Sequence, residues 1–456
     1  MENKLGQHAI VIGGSITGLM TARVLAQYFT DVTILERDSV DEHRLIRKSI
    51  PQANHYHALR LGGQHVLASL FPGFANKLLE LGAISYRVGR DTSYFLPDGK
   101  AYSLSGSVKE PRDLGFDAYS QSRGLLESCI RQFVKQIPNI KLEVDSTAEG
   151  LVYSSPSVRS VRYRNADHIR FLEADLIVDA GGRGSSARRW LVDLGFQTPE
   201  ETVIGVDFGY ASTKLRIPDW YDEPERLMCF FGKAPHFPNG AYLGQIENNI
   251  WHLSLAGRFG DYPPSDEPGF YSFTKSLHTP KLYELIKDAE RVADISHYRF
   301  PKSSRFHFER LTNFPEGFLV LGDAIASFNP VYGQGISSAA LQVQALEKIL
   351  LERRTLSYGL TGLPAEFFAK AAEVIDSPWT IAANLDFAYP KTKGERPSNL
   401  RESARYFSAL NAIGAEDIDI QRLVSEVFHL SVPLSALTEE PLYSRVMAYQ
   451  NDYAVA

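Results

Sequence analysis

The sequence predicts an α/β fold, because it opens with a strand, a glycine-rich turn, a helix and a second strand, and strand-to-turn segments recur later. Residues 8–12 (HAIVI) have the composition of a short buried strand, and residues 13–18 (GGSITG) form the turn. Residues 19–29 (LMTARVLAQYF) have helical apolar spacing, and residues 31–37 (DVTILER) give the second strand. Strands that alternate with helices form a parallel sheet, so we expect a Rossmann-like unit here.

Composition limits the classes of protein to consider. A chain of 456 residues predicts two or three domains, and 44% hydrophobic with 22% charged residues is typical of a globular protein. The net charge of -6, without a basic run, argues against nucleic acid as a partner. No apolar stretch is long enough to span a membrane. The two cysteines, Cys129 and Cys229, suit a reducing cytoplasm and offer no cysteine-rich metal site.

Each position of the first turn has a physical role. Gly13 permits the tight turn out of the strand, Ser15 is small enough for a pyrophosphate to approach the backbone, and Gly18 lets the helix pack closely. The helix start offers free N–H groups to phosphates. Glu36 ends the second strand, where its carboxylate can accept hydrogen bonds from ribose hydroxyls, and Arg37 can stack on an adenine. The unit predicts a dinucleotide but does not separate FAD from NAD.

A second motif, residues 317–340 (GFLVLGDAIASFNPVYGQGISSAA), selects the flavin. FLVLG is a buried strand, and Asp323 follows where the strand gives way to a loop. A carboxylate at that place can bind the hydroxyls of a ribityl chain, although a turn or helix cap is the alternative. The loop residues Pro330, Gly333 and Gly335 precede a helix rich in small residues, whose N–H groups can stabilise negative charge on a reduced flavin.

These two segments carry a resemblance. GGSITG with Glu36 and the GD…NPVYGQG segment resemble the FAD-dependent aromatic hydroxylases and epoxidases, the para-hydroxybenzoate hydroxylase fold group. PQANHYHAL (residues 51–59) and FNPVYGQG (residues 328–335) are similar to a narrower branch, the bacterial flavin epoxidases of polyether and other secondary-metabolite biosynthesis. The resemblance covers residues 8 to about 350. It implies FAD as cofactor, O2 and a small molecule as substrates, and NADPH or NADH as electron donor.

The third segment departs from that family. Residues 175–191 (DLIVDAGGRGSSARRWL) contain the strand, the small-residue turn and the helix start, with Asp179 at the strand end. Gly181 stands where the family has an aspartate in an Asp-Gly pair associated with FAD and nicotinamide binding. We interpret Asp179 as close to the flavin, with a structural turn as the alternative. The departure leaves open whether NAD(P)H binds directly or a separate flavin reductase supplies electrons.

Two arginines extend the predicted cofactor site. Arg123 begins an amphipathic helix in YSQSRGLLESCIRQFV, and the resemblance implies that this residue reaches the FAD phosphates or ribityl chain. The planar guanidinium of arginine suits phosphate oxygens, and a surface salt bridge is the alternative. Arg47 is a further candidate for the pyrophosphate.

The remaining segments predict the substrate region. Hairpins at residues 93–104 and 241–257 indicate a β-sheet domain inserted into the flavin domain. Candidate substrate residues are His57, Phe231, Tyr242 and Trp251, although strand alternation turns some of them into the core. His57 lies two residues after His55, without a carboxylate or cysteine cluster nearby, so we expect no metal site. The predicted organisation is an FAD-binding domain (1–85, 117–204 and 298–350), a β-rich substrate domain (86–116 and 205–297) and a helical C-terminal region (351–456).

The function that the resemblance implies is FAD-dependent monooxygenation. A flavin C4a-hydroperoxide would epoxidise or hydroxylate an apolar or aromatic secondary metabolite, and no catalytic base can be assigned from the sequence. One alternative is a flavin-dependent reductase or dehydrogenase of a polyprenyl-type substrate. A second is a flavin halogenase, which needs a WxWxIP stretch that WHLSLAG at Trp251 does not match. A flavin-binding sensor without turnover is a third.

Overall fold

The computed structural model describes residues 4–40, 51–218 and 225–453. Arg47 therefore lies outside the described residues. The strands are β1 Gly6–Ile12, β2 Phe29–Leu35, β3 Ile84–Arg87, β4 Thr92–Leu96, β5 Gly99–Ala101, β6 Asp117–Ser120, β7 Ile140–Glu143, β8 Ser146–Ser154, β9 Ser157–Asn165, β10 His168–Glu173, β11 Leu176–Asp179, β12 Glu201–Ile204, β13 Phe208–Arg216, β14 Leu227–Phe231, β15 Gly240–Ile246, β16 Ile250–Arg258, β17 Glu290–Arg291, β18 Ser296–Phe300, β19 Ser303–Phe306, β20 Phe318–Val320 and β21 Ala326–Ser327. The α-helices are α1 Ile16–Tyr28, α2 Leu61–Leu70, α3 Phe74–Glu80, α4 Arg123–Lys135, α5 Ala187–Asp193, α6 Glu267–Lys275, α7 Lys281–Ile286, α8 Gly335–Leu356, α9 Leu363–Phe387, α10 Leu400–Glu416, α11 Ile418–Phe428 and α12 Leu442–Tyr453.

A five-stranded parallel sheet organises the nucleotide-binding part, in the order β20-β11-β1-β2-β7. The strands of its centre are apolar and buried, as a parallel sheet covered on both faces requires. Because the strands are parallel, their carboxyl ends meet along one edge. Gly13 follows β1, Glu36 follows β2, Asp179 ends β11 and Asp323 follows β20, so this edge collects four of the predicted site residues.

A second sheet of eight strands faces that edge. Its order is β17-β13-β16-β15-β14-β4-β5, and β18 pairs with β13. The predicted hairpins are confirmed, because β4 pairs with β5 and β15 with β16 in antiparallel register. One face of the sheet packs on α6 and α7 through Leu253, Leu255 and Phe270. The sheet joins strands from both stretches that the sequence assigns to the substrate region, while the division into domains stays a prediction.

The C-terminal part is helical, as predicted. The long helix α8 packs against α1, α2 and α9, and α10, α11 and α12 share an apolar core with Leu410 and Val446 at its centre. Residues 388–399, which contain the predicted break, separate α9 from α10. Of the helices in the described ranges, none has an apolar stretch sufficient to cross a membrane.

A glycine at the start of α1 is required by close packing. A methyl group built on Gly18 would overlap the carbonyl oxygen of Gly13, a backbone atom that cannot rotate away. We expect Gly18→Ala to lower the free energy of unfolding by about 1–3 kcal/mol, since overpacking must shift the turn or the helix. Urea denaturation measures this. Gly150→Ala is the control, because its methyl would meet only Arg162 Nε, at 3.8 Å. Equal stability of the two variants would contradict the packing argument.

Candidate active site

A single continuous cavity of about 1130 Å³ lies between the carboxyl edge of the parallel sheet, the inner face of the second sheet and helices α9 to α11. One end is lined by the dinucleotide turn and by the predicted carboxylates. The other end is lined by aromatic and aliphatic side chains. The cavity therefore has room for a large cofactor and for a second, more apolar ligand beside it.

The first end holds the dinucleotide turn. Gly13 has φ +100°, a left-handed conformation that favours glycine, and donates its N–H to the carbonyl of Leu35 at 2.8 Å. The buried carboxylate of Glu36 accepts hydrogen bonds from Gly14 N (2.7 Å) and Asp38 N (2.9 Å). Arg37 is exposed at the rim of the same cavity. Glu36 thus fixes the turn and lines the cavity at once.

Ser15 is linked to helix α4 by a buried ion-pair network. Its hydroxyl donates to Glu127 (2.8 Å) and accepts from Arg123 Nη2 (2.7 Å), while Arg123 Nη1 lies 3.1 Å from the Glu127 carboxylate. Arg131 also donates to Glu127. Sequence reasoning missed Glu127, although the Arg-Glu-Arg spacing of four residues places all three on one helix face. The network holds Arg123 at the cavity wall beside the dinucleotide turn.

Asp179 closes its own turn. Its carboxylate accepts from Gly181 N and from Ser185 Oγ, both at 2.7 Å. Burial raises the pKa of Asp179, and the hydrogen bonds from Ser185 and Gly181 act in the opposite direction. A Cβ atom at position 181 would come within 2.8 Å of the Asp179 carboxylate. An aspartate at 181 would therefore crowd Asp179 and add a second negative charge, which gives a physical reason for glycine there.

Asp323 stands at the centre of the cavity wall. No hydrogen bond to its carboxylate comes from the part of the chain that the structure describes. Burial raises the pKa of Asp323, and the charges of Arg183 and Arg123 act in the opposite direction. The carboxylate is thus available to a ligand that brings hydroxyl groups.

The loop after Asp323 lies at the same wall. Pro330, Gly333 and Gly335 all line the cavity, and Gly333 has φ +64° before α8 begins at Gly335. The first turn of α8 thus lies at the cavity with its N–H groups. The amide of Gln334 is buried and makes no hydrogen bond within the described residues. It is a further polar group at this wall that sequence reasoning missed.

His57 presents a hydrogen-bond acceptor. Its Nδ1 lies 2.8 Å from the carbonyl oxygen of His55, which can only accept, so Nδ1 carries the hydrogen and Nε2 accepts. Burial lowers the pKa of His57 to about 3, and the charge of Arg123 adds to this effect. His57 is therefore neutral at ordinary pH and lines the cavity. No cluster of potential metal ligands is found in the described ranges.

The substrate candidates on the second sheet lie on opposite faces of it, because successive residues of a strand point to opposite sides. Phe231 and Tyr242 line the cavity, and their rings meet edge to face at 5.0 Å. Trp251 does not: it is 4% exposed and packs in the core beneath α6 and α7. In the β15–β16 pairing, Tyr242 is opposite Ser254, so Trp251 points to the other face. The prediction of Trp251 as a lining residue was therefore wrong.

Other lining residues come from parts of the chain that the sequence did not associate with the site. Arg258 on β16 donates to the fully buried Asp386 on α9 (2.8 Å), which also accepts from Asn329 (2.9 Å) and Tyr332 (2.7 Å). This cluster ties the second sheet and α9 to the loop before α8. The C-terminal helices add an apolar wall of Phe407, Leu410, Val424 and Phe428. Only the folded chain brings these residues together.

The site suits FAD on three grounds. The turn that begins at Gly13 brings backbone to the cavity wall, and it is tight enough to require glycine, because a Cβ on Gly13 would lie 2.8 Å from the carbonyl oxygen of Ala180. Glu36 and Asp323 both line the cavity, at the ends of different strands. One carboxylate can therefore meet the ribose and the other the ribityl chain. The start of α8 lies beyond Asp323 with the polarity that stabilises a negatively charged ring.

Comparison with known proteins extends this assignment. No family model matches the sequence. Protein Rv3254 of Mycobacterium tuberculosis is 28% identical over 454 residues, which cover 97% of this chain and 93% of that protein. Squalene monooxygenase 1,1 of Brassica napus is 22% identical over 76% of this chain and 63% of that protein.

Solved structures share the whole architecture. The flavin-dependent brominase Bmp2 has a TM-score of 0.68 at 14% identity, over 98% of this chain and all of that chain. The p-nitrophenol 4-monooxygenase PnpA of Pseudomonas putida has a TM-score of 0.64 at 16% identity, over 95% of this chain and all of that chain. These likenesses confirm the predicted fold, an FAD-binding monooxygenase fold with mixed helix and sheet.

Proposed function

We propose that this chain is an FAD-dependent monooxygenase that epoxidises or hydroxylates an apolar or aromatic small molecule. The observation that carries the proposal is the continuity of the cavity from the dinucleotide turn, past Asp323, to an aromatic end. A cofactor and a substrate in one continuous space can react directly. The similarity to squalene monooxygenase 1,1 supports the same reaction class.

The proposed cofactor contacts fall into two groups. The first turn and α4 would hold the ADP half of FAD, and the edge from β11 to α8 would hold the ribityl chain and ring. The residues are Gly13, Ser15, Gly18, Glu36, Arg37, Arg47 and Arg123 for the first group, and Asp179, Asp323, Pro330, Gly333 and Gly335 for the second. His57, Phe231 and Tyr242 face the substrate.

Each group of residues has a task in the reaction. Bound FAD supplies the activation of O2 that oxygen insertion needs. The aromatic wall excludes water and holds the substrate, and the start of α8 stabilises negative charge at the cofactor. His57 accepts a hydrogen bond through Nε2 without changing its charge near neutral pH.

The turn at Asp179 leaves the source of electrons open. Position 181 is glycine and Asp179 is hydrogen-bonded to its own turn, so the second carboxylate that the resemblance associates with nicotinamide binding is absent from this turn. NADPH or NADH must use other residues, or a separate flavin reductase must deliver the electrons. Halogenation is the second candidate reaction, because a flavin-dependent brominase has a similar fold. The WHLSLAG stretch argues against halogenation, because its tryptophan, Trp251, lies in the core.

The assignment of Asp323 predicts loss of cofactor. In Asp323→Ala the hydroxyl groups of FAD lose a charged acceptor worth about 1.5–3 kcal/mol, so the dissociation constant of FAD should rise roughly ten- to 150-fold. Flavin absorbance per protein after gel filtration measures retention, and circular dichroism checks the fold. Asp294→Ala is the control, because that side chain is fully exposed. An Asp323→Ala variant whose dissociation constant for FAD equals that of the wild type would contradict the assignment.

The monooxygenase assignment predicts that electrons reach oxygen. Holoenzyme should consume O2 when NADPH or NADH is added, either alone or with a separate flavin reductase, and should release peroxide when no substrate is present. An oxygen electrode and a peroxide assay measure the two rates, and wild-type protein from which the flavin has been removed is the cofactor-free control. A flavin that is reduced and then passes its electrons to a quinone or dye, but not to O2, would favour the dehydrogenase alternative.

A further inference from the structure

Arg60 is a cation at the boundary between the cofactor wall and the aromatic end of the cavity. Its Nε and Nη2 donate to the carbonyl of Tyr332, at 3.2 and 2.6 Å. The same two nitrogens lie 3.4 Å from the position that a Cβ on Gly333 would occupy, so the guanidinium packs against the loop before α8. Nη1 makes no hydrogen bond to the described residues. One edge of the guanidinium is therefore anchored, and the other remains for a ligand.

The charge of Arg60 has no counter-ion in the described ranges, where neither an aspartate nor a glutamate pairs with it. Its neighbours form what we call the tyrosine cluster, which lines the cavity and consists of Tyr56, Tyr86, Tyr94, Phe231 and Tyr242. Within it, Tyr56 and Tyr242 stack with ring centroids 6.2 Å apart. Arg60 is half-buried at this wall, where an anion that meets its remaining N–H groups would gain a charge-assisted hydrogen bond.

The positive charge of Arg60 affects the pKa values of the four tyrosines in the cluster. Burial raises the pKa of Tyr56 to about 12, and the Arg60 charge acts in the opposite direction. The same opposition holds for Tyr86, Tyr94 and Tyr242, whose pKa values burial also raises. These phenols remain protonated, so they do not neutralise Arg60. The hydroxyl groups of Tyr56 and Tyr242 bond to Ser120 Oγ and to the carbonyl of Val331, so the cluster offers mainly flat apolar faces beside the Arg60 charge.

We propose that Arg60 binds a carboxylate or phenolate oxygen of an aromatic substrate whose ring lies against the tyrosine cluster. The planar guanidinium matches a carboxylate through two parallel N–H groups, and the rings accommodate a flat apolar body. This inference rests on the proposed function, because it takes the cavity as the substrate site. It narrows the substrate class from apolar or aromatic molecules to acidic aromatic ones, and it makes Arg60 a specificity-determining residue.

Calorimetric titration of the FAD-loaded protein with naphthoate and naphthamide tests the proposal. The two probes share their ring system and differ in the charge of one group. We expect the wild type to bind naphthoate roughly ten- to 100-fold more tightly than naphthamide, as a charge-assisted hydrogen bond predicts. Arg60→Met should abolish the preference and leave the naphthamide affinity unchanged, and Arg60→Lys should keep part of it.

Arg216→Met is the matched control, because Arg216 is exposed and pairs with Glu290 outside the cavity. It should retain the full preference for naphthoate. A wild type without preference, or an Arg60→Met protein that keeps it, would overturn the proposal. Saturable bromide binding that Arg60→Met loses would also overturn it, by making this an inorganic halide site. Flavin absorbance of every sample separates these outcomes from failure of the proposed function, which would appear as a protein that binds no FAD.

Discussion

The parallel pairing of β1 with β2 on one side and β11 on the other is the constraint on which the site depends. Ile12 is opposite both Leu35 and Asp179, so all three strands end at one level. Backbone hydrogen bonds continue past the strand ends, from Gly13 N to Leu35 O (2.8 Å) and from Ala180 N to Ile12 O (2.9 Å). A shift of one residue would break these bonds and move the turns at the strand ends apart by about 3.3 Å. The cavity therefore exists because this register is fixed.

The three carboxylates at that edge have different tasks, and their local bonds explain the difference. Glu36 accepts two backbone N–H groups and so braces the first turn while it faces the cavity. Asp179 is bonded to its own turn, which favours glycine at 181. Asp323 is the carboxylate whose acceptors remain for a ligand. All three carboxylates thus lie at similar positions along the sheet edge. They differ in how many hydrogen bonds they accept from the protein itself, and this difference decides which of them a ligand can use.

Local sequence was sufficient for the nucleotide-binding part. The strand at Gly6–Ile12, the turn at Gly13 and the helix that begins at Arg123 could all be predicted, because each depends on neighbours within a few residues. Trp251 was misplaced because its face depends on the register of the β15–β16 hairpin, which the turn at Glu247–Asn249 sets. A single residue of register decides between cavity and core.

Arg60 and Asp386 could not be found from the sequence for a different reason. Arg60 contacts Tyr332 across a sequence separation of 272 residues, and Asp386 joins β16 to the loop before α8 through Arg258 and Asn329. No local pattern distinguishes either residue from a solvated charge. Their importance comes from burial and from the partners that folding provides. The substrate end of the cavity is accordingly where the structure adds most to the sequence.

The central claim is that the cavity binds FAD along the carboxyl edge of the parallel sheet. The most direct measurement is to purify the protein, release its cofactor by heat and identify it by chromatography and mass spectrometry. We expect FAD at about one molecule per chain, either as purified or after incubation with FAD and gel filtration. Release of FMN or of a nicotinamide dinucleotide in its place, or a protein that stays colourless after incubation with FAD, would show that the cavity is not an FAD site.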